Sequence, residues 1–291
     1  MTRRTKIFVF GDSFGDVTAC GDDRGRAWPA QLAQTLAEQF KRPIEVVNWS
    51  MIGASQDHTW SCIMRCVEQG EITPDDYMVV LMTSPERYWF FEDVPYITNT
   101  AIIDFDDELS PEQTDAAAKY FQHIQRPQLT CLQADFRLGW LSHITQSLRL
   151  RKPLLIPCFD QPFSADSYPA LNFARGCLYN IQLAEWQGAK GNNWQGVDLR
   201  FMHLCLRNHA VLAELIAQSL WRTTTLDLGS DQFHREFLTL ESANDPEFFE
   251  QELSPGQYDK LCEVQEKLEK LDSPRINPWA KRMGITSRRS T

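Results

Sequence analysis

Apolar and polar residues alternate along the chain in blocks whose periods separate strands from helices. Lys6-Ile-Phe-Val-Phe10 is a β-branched and aromatic run that stops at Gly11-Asp12, the pattern of a buried strand entering a turn. From Ala27 to Phe40, Trp28, Leu32, Leu36 and Phe40 recur every fourth residue with Pro29 in the first turn, which predicts an amphipathic helix. Ile44 to Val47 reads as a second strand with a polar exit from Asn48 to Ser55. Gln56 to Cys66 reads as a second helix, and Tyr77 to Met82 as a third strand ending at Thr83-Ser84-Pro85. Ser110-Pro111-Glu112-Gln113 has an N-cap, Pro at the first helical position and Gln at the third, which predicts a helix through about Ile124. A helical pattern follows from about Leu129 to Leu150, then a buried strand from Pro153 to Cys158. A last helix runs from about Leu206 to Trp221, with His209, Leu212, Ile216 and Leu220 on one stripe. Strands and helices alternating at these lengths predict a three-layer α/β/α fold, doubly wound around a mainly parallel sheet, with reactive groups at the carboxyl ends of the strands.

Beyond Thr225 the texture changes to an acidic stretch rich in Phe. Ser254-Pro255-Gly256-Gln257 then opens a helix with Tyr258, Leu261, Leu268 and Leu271 on one side, followed by a basic tail from Pro274. The expected organisation is an α/β domain over residues 1–225 and a C-terminal helical extension over 226–291, whose helix could fold back on the sheet layers or pair two copies of the chain. With 291 residues the chain is long enough for one large core. Its 29 basic and 39 acidic residues give a net charge of −10, which argues against nucleic acid and anionic lipid as partners. The apolar run Ile7 to Phe10 is too short for a signal-peptide h-region or a membrane span. The eight cysteines are scattered through apolar stretches, and Cys62 and Cys66 lack a second pair of ligands for zinc, so they read as reduced thiols in a cytoplasmic protein without a metal.

Three strand exits are polar where a core would be apolar: Gly11-Asp12-Ser13-Phe14-Gly15-Asp16, Asn48 to Ser55, and Thr83-Ser84-Pro85-Glu86-Arg87. A serine on a tight turn after a strand can be exposed as a nucleophile, and nearby backbone N–H groups can hold an oxyanion. His203, six positions before His209 and at the entry to the last helix, is a candidate base. These blocks resemble the SGNH/GDSL hydrolase superfamily, whose first block Gly-Asp-Ser holds the nucleophile and whose second reads Asn-x-x-x-x-Gly-Ala-Ser/Thr. The resemblance spans roughly Lys6 to Trp221. It implies an SGNH-type, flavodoxin-like fold, Ser13 as nucleophile, His203 as base, the Ser13 and Gly53 N–H groups as oxyanion donors, and no cofactor.

Two positions depart from the superfamily's pattern. Its third block reads Gly-x-Asn-Asp, with the Asn side chain as a further oxyanion donor, where this chain has Thr83-Ser84-Pro85-Glu86; Thr83 or Ser84 would then substitute. Its Asp-x-x-His block would put an acid three residues before His203, where Arg200 stands. Asp198 is therefore the expected orienting acid, with Asp160 a lesser alternative. Asp12 is a candidate for substrate contact and also for organising its turn through the backbone. Trp89, in Tyr88-Trp89-Phe90-Phe91, could stack on a sugar ring or pack under a loop. Glu86 and Arg87 read as a surface pair, and His209 as a core residue. The expected activity is hydrolysis of a small-molecule or carbohydrate ester, O-acetyl sugars included. The alternatives are an acyltransferase using the same Ser and His, and a non-catalytic binding protein that has lost the missing groups.

Overall fold

The structure, a computed structural model, describes residues 3–17, 24–85, 87–88, 110–159, 161, 164–179, 181, 203–204, 206–222 and 224–233. Among these residues five strands, β1 (Thr5–Phe10), β2 (Ile44–Asn48), β3 (Tyr77–Met82), β4 (Leu154–Pro157) and β5 (Asn172–Phe173), form one sheet in the order β2-β1-β3-β4-β5. Every pairing is parallel. The helices are α1 (Trp28–Phe40), α2 (Gln56–Glu68), α3 (Pro111–His123), α4 (Pro127–Ser147) and α5 (Leu206–Arg222).

Strand period two divides the core between the two faces of the sheet. Ile7 and Val9 of β1 and Val79 and Leu81 of β3 pack with Trp28, Leu32 and Leu36 of α1 and Leu212 and Ile216 of α5. Phe8, Phe10, Met78, Val80 and Met82 point the other way, onto Trp60 and Ile63 of α2 and Leu138 and Leu141 of α4. The three layers expected from the alternating pattern are present. α3 begins with the expected capping box: the Ser110 hydroxyl accepts from Gln113 N–H, and the Gln113 side chain accepts from Ser110 N–H. α1 has no side-chain cap of its own. Instead Trp28 N–H donates to Nδ1 of His209 at 3.1 Å, so an orphan donor of one helix is satisfied from the first turn of another. His209 is a buried core residue, as expected, and it also ties α1 to α5.

Two features differ from expectation. β5 has only two residues, too few to show a period, and it forms because Asn172 and Phe173 lie beside Leu154 and Leu155. The α/β core also continues past residue 225. Leu226, Leu228 and Phe233 are buried in the cluster that holds α1 and α5, and Arg175 exchanges backbone hydrogen bonds with Leu226 and Leu228. The remainder of the expected extension, including the helix from Tyr258, lies outside the described residues.

The order β2-β1-β3-β4-β5 reverses direction between β1 and β3, and the turns leaving these strands diverge to opposite faces and open a crevice at their carboxyl ends. Gly11 follows β1 in close approach to Leu81 of β3. Its φ is +148°, and a Cβ there would lie 2.4 Å from Leu81 Cβ and 2.9 Å from the Leu81 carbonyl oxygen. Gly11→Ala is therefore expected to destabilise the protein by about 2–4 kcal/mol through overpacking and backbone strain. Urea denaturation checks this, and a midpoint equal to wild type would show that the two strand ends are not in close approach.

Candidate active site

Residues 11–16 turn sharply after β1, because Gly15 and Asp16 N–H both donate to the Asp12 carbonyl, at 3.0 and 3.2 Å. The loop after β2 is stitched to this turn. Asn48 Nδ2 donates to the Gly15 carbonyl at 2.7 Å, Met51 N–H to the Gly11 carbonyl at 3.1 Å, and Ile52 N–H to Asp16 Oδ2 at 2.9 Å. Gly15 has no room for a side chain, since a Cβ would meet Ser50 Oγ at 2.4 Å. The turn that carries Ser13 and the loop that carries Gly53 are thus one rigid unit.

Ser13 is 9% exposed, and its Oγ lies 2.8 Å from Nε2 of His203, 190 residues along the chain. If the Ser13 hydroxyl donates in this contact, the ring hydrogen sits on Nδ1. The imidazole stacks on the Phe14 ring with centroids 4.9 Å apart and planes inclined by 25°. Phe14 is fixed in turn: its carbonyl accepts from Trp28 Nε1 at 2.7 Å, and its ring meets Phe159 edge-on at 6.2 Å. Backbone geometry therefore sets the serine, and an aromatic face sets the histidine. A hydroxyl and a ring nitrogen held this way can share a proton, the first requirement of a serine nucleophile.

Asp12 is wholly buried and faces away from solvent. Its Oδ1 accepts from Phe14 N–H at 3.1 Å and from the Cys158 thiol at 3.4 Å, and its Oδ2 pairs with Nη1 of Arg87 at 3.3 Å. Burial, and then the neighbouring Asp12 carboxylate, push the Cys158 thiol well above its ordinary pKa, so the sulfur stays protonated and donates. Asp12 has no accessible surface, and these contacts make it an organiser of the turn. The surface pair expected of Glu86 and Arg87 is corrected for Arg87. Its partner is the buried Asp12, its Cζ lies 5.5 Å from the Phe159 ring centroid, and its side chain is 17% exposed.

Thr83 has no accessible surface either. Its Oγ1 accepts from Arg87 Nη1 at 3.0 Å, and its carbonyl accepts from Gln56 Nε2 at 2.9 Å and Gln161 Nε2 at 3.1 Å. It anchors the β3 exit through these contacts. Ser84 is half-buried, and its carbonyl closes a turn with Arg87 N–H at 3.1 Å. Gly53 is half-buried with φ of +71° in the loop after β2. Asp198, Asp160, Trp89 and Glu86 lie outside the described residues. Sequence reasoning missed Phe14, Cys158 and Gln161 as parts of this site. Only Phe14 carried a signal, through its place beside Ser13. Among the described residues no group of His, Cys, Asp and Glu could hold a metal ion, no helix is long and apolar enough to cross a membrane, and Cys62, Cys66, Cys131, Cys158 and Cys177 form no disulfide.

No family model and no curated protein matches the chain. Solved structures similar to it include the psychrotrophic esterase EstA from Pseudoalteromonas sp., at 13% identity and a TM-score of 0.40, covering 76% of this chain and 100% of that one. LAE5, an alpha/beta hydrolase enzyme from the metagenome of Lake Arreo, Spain, is 18% identical with a TM-score of 0.39, over 76% of this chain and 97% of that one. The lipase/acylhydrolase from Enterococcus faecalis is 14% identical with a TM-score of 0.37, over 75% and 96%. By their names these are an esterase, a hydrolase and a lipase/acylhydrolase.

Proposed function

We propose that the protein is a serine esterase that hydrolyses a small acyl ester. The observation that carries this reading is the 2.8 Å contact between Ser13 Oγ and His203 Nε2 at the carboxyl ends of the strands. In the proposed reaction Ser13 Oγ attacks the ester carbonyl carbon while its proton passes to His203 Nε2, and the carbonyl π pair becomes an oxyanion. Collapse of the tetrahedral species expels the alcohol, which takes the proton from His203. Water then attacks the acyl-enzyme by the same route in reverse, releasing the acid and restoring Ser13. Ser13 and Gly53 N–H groups are the proposed oxyanion donors, with Ser84 in the neighbouring turn, and Asp198 is the proposed partner of His203 Nδ1. The near-burial of Ser13 beside His203 favours a short acyl group such as acetyl, carried on a sugar or another small alcohol.

The test is labelling with a fluorophosphonate followed by peptide mass spectrometry. Stoichiometric modification of Ser13 that is lost in His203→Ala is expected, because the base is what makes the hydroxyl reactive. A folded protein that takes no label overturns the reading in favour of a binding protein. If Ser13 labels but an added alcohol captures most of the acyl group, the activity is transfer to that alcohol and not hydrolysis.

A further inference from the structure

The Ser13–His203 reading leaves open which side chain meets the developing charge, since Thr83 is sealed inside. We propose that Arg87 does, as a guanidinium donor to the ester carbonyl oxygen. This rests on Ser13 being the nucleophile.

Arg87 follows the turn that leaves β3, and its ion-pair partner Asp12 is the residue next to Ser13. A guanidinium carries five N–H donors in a fixed planar fork. The two hydrogens of Nη1 are directed to Asp12 Oδ2 and Thr83 Oγ1, at 3.3 and 3.0 Å. The Nη2 and Nε edge has no hydrogen-bond partner among the described residues. The side chain keeps 17% of its surface accessible, whereas both of its acceptors are wholly buried. The arginine is therefore held by one edge and presents the other. The Phe159 ring lies under Cζ at 5.5 Å and adds a further contact to the held side chain.

Charge separates an oxyanion donor from a receptor for an anionic substrate. The buried Asp12 carboxylate balances the guanidinium, and the whole chain carries −10, so the site does not attract a preformed anion. What remains is a set of rigid N–H donors, which bind a neutral carbonyl weakly and an alkoxide-like oxygen strongly. Such donors act in the transition state more than in the ground state, so they raise kcat with little effect on KM. Loss of one donor of this kind typically costs about 10²–10³ in kcat.

The experiment measures kcat and KM on p-nitrophenyl acetate for wild type, Arg87→Lys, Arg87→Gln, Arg87→Ala, Asp12→Asn and Ser13→Ala, each checked for folding by thermal melting. The expected result is that Arg87→Gln and Arg87→Ala lose about 10²–10³ in kcat with KM nearly unchanged. Arg87→Lys, which keeps the charge beside Asp12 and so protects the fold, should lose a similar amount because it lacks the fork. Added guanidinium, far below denaturing concentration, should restore part of kcat in Arg87→Ala and none in Ser13→Ala. Ser13-dependent turnover that survives in Arg87→Gln overturns the proposal and leaves the esterase reading intact, whereas turnover that survives Ser13→Ala overturns the esterase reading. A loss matched by Asp12→Asn and not rescued by guanidinium would make Arg87 a support of the turn only, and also overturns the proposal. So does a preference for p-nitrophenyl hemisuccinate over the acetate that disappears in Arg87→Gln while acetate turnover is unchanged, the behaviour of a substrate anion site.

Discussion

Ser13→Ala is expected to lower kcat on p-nitrophenyl acetate by about 10⁴-fold or more while leaving the thermal midpoint near that of wild type. The hydroxyl makes a contact of 2.8 Å with His203 and sits in a turn held by backbone hydrogen bonds of its neighbours, so its removal takes away the nucleophile without loosening the turn. His203→Ala is expected to cost a comparable factor, because the hydroxyl alone is a weak nucleophile. The double variant should then be no slower than either single one, since a nucleophile and its base act as one unit and their effects do not add. Steady-state rates of the three variants test this. Additive losses, or a Ser13→Ala enzyme within tenfold of wild type, would mean that turnover does not pass through this pair. The rings around His203 refine the expectation. Phe14→Ala would remove the face on which the imidazole stacks at 4.9 Å, and the base would lose its orientation while keeping its chemistry.

Asp12→Ala is expected to destabilise the fold by about 3–5 kcal/mol, the usual cost of breaking a buried ion pair by removing one partner. The Arg87 guanidinium would be left against Phe159 without a counter-charge, and the Phe14 N–H and the Cys158 thiol would lose their shared acceptor inside the protein. Asp12→Asn keeps an acceptor at the same place and should cost less. Both are checked by urea denaturation, with the Cys158→Ala background separating the thiol's share. An Asp12→Ala protein within about 1 kcal/mol of wild type would be incompatible with an uncompensated buried charge at this position.

The strands and helices were readable because each carries its own period. Trp28, Leu32 and Leu36 mark one face of α1, and β1 and β3 are apolar runs long enough to need cover on both sides. The capping box of α3 lies within four consecutive residues, so local chemistry sufficed. β5 was illegible for the opposite reason: two residues have no period, and only pairing with Leu154 and Leu155 makes them a strand. The burial of Leu226, Leu228 and Phe233 was hidden in the same way, because the short strip that places them is held by Arg175, some fifty residues earlier.

The site divides along the same line. The nature of Ser13, the glycines around it and the spacing of His203 and His209 are local properties of the sequence, and they point to a nucleophile and a base without any geometry. What Asp12, Thr83 and Arg87 do is a matter of which way each side chain is forced to face when three strand ends meet. Asp12 and Thr83 read as groups available to a ligand, yet both are buried, and Arg87, which reads as a surface residue, is their shared partner. One-dimensional pattern carries burial only where a period repeats. At the irregular turns beyond the strands there is no period, so the direction of each polar side chain was decided by the tertiary structure, through desolvation and the partners that distant segments brought within hydrogen-bond reach.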